Sequence, residues 1–355
     1  MIIVTRSQAT GEEHRQVIEL LQQLAGSQRP ISATTMLERR LITIDGNNLD
    51  AQAHAALSQH SAVERIVPLQ TPYQLVSRVF QSENSRVVVG DRLGGQSVSI
   101  GAAAPVVIAG PCAVESREQL MEIAHAVKAA GAQVLRGGAF KPRTSPYQFQ
   151  GLGVAGLHLL AQAREETGLP VITEVMEPEM VDVVAQYADI LQIGSRNMQN
   201  FPLLQAAGSH LARRPVMLKR GLASTIDEWL LAAEYIVAAG NPNVILCERG
   251  IRSFDTHTRN LLDLTCVPLL HELTHLPVIV DPSHATGRRE LVPTMSRAAI
   301  AAGADGLILE THTDPNSALC DGRQSITPEQ LQTIVYETRL VAQIMSAPAV
   351  FEYVA

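Results

Sequence analysis

The sequence predicts an α/β protein: a (β/α)8 barrel preceded by a small α+β domain of ferredoxin-like order. Two observations carry that expectation. From about residue 86 onward, eight short runs rich in Val, Ile and Leu alternate with helical stretches. Eight strand–helix units in about 250 residues is the arithmetic of a closed parallel barrel. The first 72 residues instead read strand, helix, two strands, helix, strand, which is the ferredoxin-like order. An open doubly wound sheet is the competing architecture for the larger part, and the lack of a GxGxxG after its first strand counts against it. The expected division is therefore a small domain at 1–72, a connector at 73–85 and the barrel at 86–355.

The elements follow in order. MIIVTR opens as a strand, and EEHRQVIELLQQLAG places Val17, Ile18, Leu20, Leu21 and Leu24 at helical spacing. ISATTM and RRLITIDG suggest two short strands, AQAHAALSQH a helix and ERIVPL a last strand. RVVVG and SVSIG suggest a hairpin ahead of the barrel. The barrel strands are VVIAG, QVLRGGAF, VITEV, ILQIG, VMLKRG, VILCERG, VIVDPSH and GLILETH, continuous apolar runs as strands buried on both faces require. Ser116 with Gln119 and Thr225 with Glu228 have the spacing of capping boxes, and Pro328 after Thr327 suits a first helical position. Gly131, Gly168, Gly240 and Gly303 stand where helices should stop.

Composition narrows the function. A formal net charge of −7 argues against a general nucleic-acid or membrane-surface binder. Four cysteines without a CxxC pair exclude a disulfide scaffold and a zinc ribbon. The start of the chain lacks the pattern of a signal peptide, and no run of about 18 apolar residues could span a bilayer. A soluble cytoplasmic protein is the expectation.

Barrel chemistry is built at the C-terminal strand ends. Two chemical sets fall there. The first is cationic: Arg136, Lys141, Arg143, Arg196, Lys219 and Arg249. An acidic protein gathers six cations at one rim for a strongly anionic ligand, with more than one phosphate or a phosphate plus a carboxylate. The second is Cys112, His284, Glu310 and Asp321, a thiolate, an imidazole and two carboxylates that suit a divalent ion such as Mn, Fe, Co or Zn. Each of the four also has a structural reading, since spacing alone supplies no local metal motif. Cys247 and Cys266 lie in apolar runs and read as core. Cys320 adjoins Asp321 and is expected near Cys112, where the two could pair oxidatively; His312 is expected behind Glu310. His257, His271, His275 and Trp229 read as structural.

Taken together, AGPCAVES, LRGGAFKPRTSPYQFQGLG, GSRNMQNF, LKRG, CERGIR, DPSHATGRR and DGRQS resemble 3-deoxy-D-arabino-heptulosonate 7-phosphate (DAHP) synthase. The type is the bacterial one with an N-terminal ferredoxin-like domain. The resemblance implies an enzyme that joins phosphoenolpyruvate to erythrose 4-phosphate with release of phosphate, the first step of the shikimate pathway. It implies a divalent metal on Cys112, His284, Glu310 and Asp321. It implies phosphoenolpyruvate on Arg136, Lys141, Arg196, Lys219 and Arg249, and the aldose phosphate on Lys141, Pro142, Arg143 and Thr144. Lys141, between the two anions, is the expected proton donor. A homotetramer inhibited by an aromatic amino acid at the N-terminal domain is also implied. Two departures touch neighbouring residues only: ETHTDP lacks a proline expected after the histidine, and Ala285 and Thr286 follow DPSH where serine and glycine are common.

Three other functions compete. 3-Deoxy-D-manno-octulosonate 8-phosphate synthase uses the same first substrate, but typically carries a KANRS-like stretch where this chain has KPRTS. A Schiff-base aldolase would use Lys219 as nucleophile. A metabolite sensor on the same barrel would have no use for the metal set.

Overall fold

In the computed structural model, residues 1–25, 31–36, 39–44, 49–67, 71–143 and 145–346 are described. Thr144, one of the expected aldose-phosphate residues, lies outside them. The N-terminal part is built from β1 (Ile2–Thr5), α1 (Gly11–Ala25), β2 (Ile31–Met36), β3 (Arg39–Ile44), α2 (Ala51–Gln59) and β4 (Val63–Val67). Its strands form an antiparallel sheet in the order β2-β3-β1-β4. Alternation along β1 explains both faces. Met1 and Ile3 join Val17, Leu21, Ile42 and Leu57 in a core under the helices. Ile2 and Val4 face the other way and pack with Leu41, Val67, Tyr73, Leu75 and Phe80.

The segment that follows is fastened to the barrel. Glu234 accepts hydrogen bonds from the N–H groups of Leu75 and Val76 at 2.8 and 3.0 Å. Thr274 Oγ1 donates to the Val76 carbonyl, and the His275 ring bridges the Leu75 carbonyl and Ser85 Oγ at 2.8 Å each. The hairpin β5 (Val87–Val89) and β6 (Val98–Ile100) comes next.

The barrel strands are β7 (Val106–Gly110), β8 (Val134–Arg136), β9 (Val171–Glu174), β10 (Ile190–Ile193), β11 (Val216–Lys219), β12 (Val244–Glu248), β13 (Val278–Val280) and β14 (Gly306–Glu310). They close on themselves, with β14 pairing parallel to β7. The surrounding helices are α3 (Arg117–Ala129), α4 (Val154–Thr167), α5 (Val181–Tyr187), α6 (Phe201–Ser209), α7 (Ile226–Ala238), α8 (Cys266–Leu273), α9 (Pro282–Thr286), α10 (Val292–Ala301) and α11 (Pro328–Ser346). Val106, Ile108, Val134, Ile172, Ile190, Met217, Ile245, Cys247, Ile279 and Ile308 pack together inside the barrel, with Val87, Val89 and Ile100 of the hairpin joining them. The hairpin thus closes one end of the barrel with apolar side chains, leaving the other end for polar ones.

Thr225 and Glu228 form a reciprocal cap at α7. Ser116 caps α3 in one direction only, because the Gln119 side chain accepts from the Glu115 N–H rather than from Ser116. Gly131, Gly168, Gly240 and Gly303 all have positive φ near helix ends, where a Cβ would be strained.

Candidate active site

A period of two on the barrel strands builds the site. On seven of the eight strands a polar residue stands two positions beyond the last inward apolar one: Arg136 after Val134, Glu174 after Ile172, Gln192 after Ile190, Lys219 after Met217, Arg249 after Cys247, Asp281 after Ile279 and Glu310 after Ile308. Arg136, Lys141, Arg143, Arg196, Lys219 and Arg249 all line one cavity of about 430 Å3, together with Glu174, Gln192, Arg259, Asn260, His284 and Asp321. Pro142 lines it as well. The structure therefore gathers all six expected cations at one mouth.

Cys112, His284, Glu310 and Asp321 each offer a donor atom, and these atoms lie within 4.8 Å of one another. Metal–donor bonds of about 2.0–2.3 Å bring donors around one ion to within a few ångströms of one another, the scale at which these four already cluster. One sulfur, one imidazole nitrogen and two carboxylates suit a borderline divalent metal better than calcium or magnesium. The residues present fit such an ion.

Each donor is held by identifiable partners. Cys112 follows the end of β7; its thiol donates to Asp321 Oδ2 at 3.2 Å and accepts from Lys141 Nζ at 3.0 Å. His284 sits on α9, whose first residue is Pro282 and whose N-cap is Asp281. Asp281 Oδ2 receives His284 Nδ1 and Lys219 Nζ, both at 2.7 Å. That carboxylate orients the ring so that Nε2 faces Glu310 Oε1 at 3.1 Å. Glu310 is fully buried and also accepts from Arg136 Nη1 at 2.7 Å. Asp321 adopts φ +52°, a left-handed conformation uncommon for a residue other than glycine.

The electrostatics follow from these contacts. Burial works to lower the His284 pKa, but Asp281 and Glu310 outweigh it and raise it to about 9. Burial works to raise Asp281 and Glu310, yet His284 holds both well below the carboxylate range, helped by Lys219 and Arg136 respectively. The hydrogen bond with Cys320, burial and Glu310 push the Cys112 thiol up, against Lys141.

The remaining expectations divide. Cys320 does pack beside Cys112, and both are free thiols. Arg143 Nη1 donates to Cys320 Sγ at 2.6 Å, whereas the buried Arg143 Nε has no acceptor, a donor left over for a ligand. For His312, the ring contacts are with Gln119 Nε2 and the Asp314 N–H, and its backbone N–H donates to the Ile326 carbonyl. Cys247, Cys266 and Trp229 are buried, with Trp229 Nε1 donating to the Leu218 carbonyl. Sequence reasoning missed Asp281 as the link between Lys219 and His284, and missed Arg259 and Gln324 beside the two carboxylates. The period of two could have found Asp281. Arg259 lies in an irregular loop and carries no periodic signal.

A closed barrel with a thiol–imidazole–carboxylate cluster beside a wall of cations defines a class, barrel enzymes of anionic substrates with a cluster that could hold a divalent metal. The profile of the DAHP synthetase I family matches residues 79–345. A phospho-2-dehydro-3-deoxyheptonate aldolase of Thermotoga maritima is 45% identical over 352 residues, covering 97% of this chain and 98% of its own. A crystal structure of the DAHP synthase of the same organism superposes with a TM-score of 0.74, covering 97% of each chain. A 2-dehydro-3-deoxyphosphooctonate aldolase of Nitratidesulfovibrio vulgaris is 37% identical over 254 residues, but over only 66% of this chain. The chain belongs to the DAHP synthetase I family, and its enzyme class is 3-deoxy-7-phosphoheptulonate synthase. Among the described residues no helix is long and apolar enough to cross a membrane.

Proposed function

We propose that the chain condenses phosphoenolpyruvate with erythrose 4-phosphate and water to give DAHP and phosphate, with a divalent metal at Cys112, His284, Glu310 and Asp321. The observation that carries this reading is that the four donors cluster and that two of them, His284 and Asp321, line one cavity with the six cations. The new carbon–carbon bond joins the methylene carbon of phosphoenolpyruvate to the aldehyde carbon. Water adds at the former enol carbon, and phosphate leaves with its bridging oxygen.

A metal bound there supplies Lewis acidity to the aldehyde oxygen. The chain's own residues do the rest. Arg136, Lys219, Arg196 and Arg249 seat the carboxylate and phosphate of phosphoenolpyruvate by charge-assisted hydrogen bonds. Pro142 and Arg143 shape the aldose-phosphate end, where the unpaired Arg143 Nε offers a donor. Lys141, buried and within 3.0 Å of Cys112 Sγ, hands a proton to the nascent alkoxide. Holding both substrates in register is worth at most about 7–11 kcal/mol.

Residues 1–72 act as a regulatory domain for an aromatic amino acid, 73–85 as a connector and 86–355 as the catalytic barrel, in a homotetramer. The family match at residues 79–345 and the separate antiparallel sheet ahead of the closed barrel support the division into a small domain and a barrel. Four cysteines, all unpaired, support a reducing, cytoplasmic setting. Against a Schiff-base aldolase, the Lys219 ammonium is engaged by Asp281 at 2.7 Å. The test is phosphate release from phosphoenolpyruvate on adding erythrose 4-phosphate or arabinose 5-phosphate, with and without EDTA. Turnover with erythrose 4-phosphate, abolished by EDTA and restored by Mn2+, is expected. Preference for arabinose 5-phosphate, or turnover indifferent to EDTA, would overturn the reading.

A further inference from the structure

We propose that Gln324, locked by Arg259, is a positioning residue that sets the two carboxylate donors of the metal cluster. The inference rests on the metal reading above and goes beyond it by assigning the part that aims Glu310 and ties it to Asp321.

Gln324 is 3% exposed, in the turn that follows Asp321. Its Nε2 donates to Glu310 Oε2 at 2.6 Å. Its Oε1 accepts from Arg259 Nη1 at 3.1 Å, and the same Arg259 nitrogen lies 3.5 Å from Asp321 Oδ1. A guanidinium can only donate, so the amide oxygen must face Arg259 and the amide nitrogen must face Glu310. Arg259 therefore fixes which end of Gln324 reaches the carboxylate.

The consequence falls on Glu310. Its two oxygens are gripped from different sides, Oε1 by Arg136 and His284 and Oε2 by Gln324. Without the amide donor, Oε2 is a buried acceptor with nothing to accept. The carboxylate would then rotate toward Arg136 for a two-pronged pair, and Oε1 would leave its place beside His284 Nε2. The left-handed Asp321 turn is held by the same residue, whose N–H donates to the Asp321 carbonyl at 3.1 Å. One residue thus couples the two donors, its side chain aiming Glu310 and its backbone N–H bracing the turn that presents Asp321.

The test is Co2+ binding by the full chain, read from the visible d–d bands and the near-ultraviolet thiolate-to-cobalt band, with no turnover needed. Gln324→Leu removes the donor; Gln324→Glu keeps the shape but faces Glu310 with a second carboxylate. Both are expected to weaken Co2+ by roughly 10–100-fold and to shift the d–d bands at saturation, with the thiolate band from Cys112 retained. Wild-type affinity and unshifted bands in both would overturn the proposal. Should the buried variants fail to fold, Arg259→Ala, at a side chain 40% exposed, carries the test. A weaker affinity and shifted bands are expected there, and wild-type behaviour overturns the proposal. Absence of a thiolate band in the unmutated chain is a different failure, which removes the metal reading itself.

Discussion

Lys141 is the side chain on which the chemistry turns, because its ammonium touches the Cys112 sulfur and lines the cavity that the two anions are proposed to enter. Replacing it by Met keeps the volume and removes the transferable proton. Lys141→Met should still bind phosphoenolpyruvate by calorimetry while kcat falls about 10²–10⁴-fold; near-normal turnover would refute the proton-donor role. Gly194 makes a second prediction. A Cβ there would lie 2.1 Å from Glu174 Oε1, although its φ of −70° is ordinary. Gly194→Ala should displace the Glu174 carboxylate, destabilise the fold by about 1–3 kcal/mol, seen as a lower Tm, and raise the KM for phosphoenolpyruvate on the order of tenfold. At this scale the sequence was informative wherever a reactive residue ended a strand, as with Arg136, Lys219 and Glu310. It was silent on Arg259 and Gln324, because a loop places residues by turn geometry and long-range hydrogen bonds rather than by period.

Among the elements, the segment between sheet and hairpin is bonded to the barrel as tightly as many strands. His275 is the clearest probe of that bonding. Burial lowers its pKa below the ordinary 6.5, and both ring nitrogens are engaged by Leu75 and Ser85. The unfolded chain takes up a proton near pH 6.5 while the folded ring resists it. Stability is therefore present above that pH and declines as the pH falls through the lowered value. Urea unfolding between pH 5 and 8 should show this decline, and His275→Gln should flatten it while costing about 1–3 kcal/mol at neutral pH. An unchanged slope in the variant would show that the ring is not the sensor. The barrel strands were legible as buried apolar runs, but their inward alternation was not used. Continuous Val, Ile and Leu runs hide the period of two, because outward residues such as Val107, Leu246 and Leu309 are as apolar as the inward ones. The one-way cap at Ser116 shows the same limit: spacing predicts which groups can meet, not which of two near acceptors wins.

As a whole molecule, the chain seals one end of the barrel with a hairpin and builds chemistry at the other. The N-terminal sheet covers Tyr73, Leu75 and Phe80 with its free face. A chain truncated to 73–355 should therefore keep turnover, lose any inhibition by tyrosine or phenylalanine, and be less soluble through the newly exposed apolar patch. Inhibition unchanged by the truncation would remove the regulatory role proposed for residues 1–72. The architecture was readable from the count and order of elements; the closure of the mouth around four donors distant in sequence was not, since only the barrel brings positions 112, 284, 310 and 321 together. The most direct measurement of the central claim is anomalous diffraction from crystals grown with Mn2+ and phosphoenolpyruvate. One peak bonded by Cys112, His284, Glu310 and Asp321, with phosphoenolpyruvate seated on Arg136, Lys219 and Arg249, is the predicted result. A peak elsewhere, or phosphoenolpyruvate bound away from those cations, would contradict it.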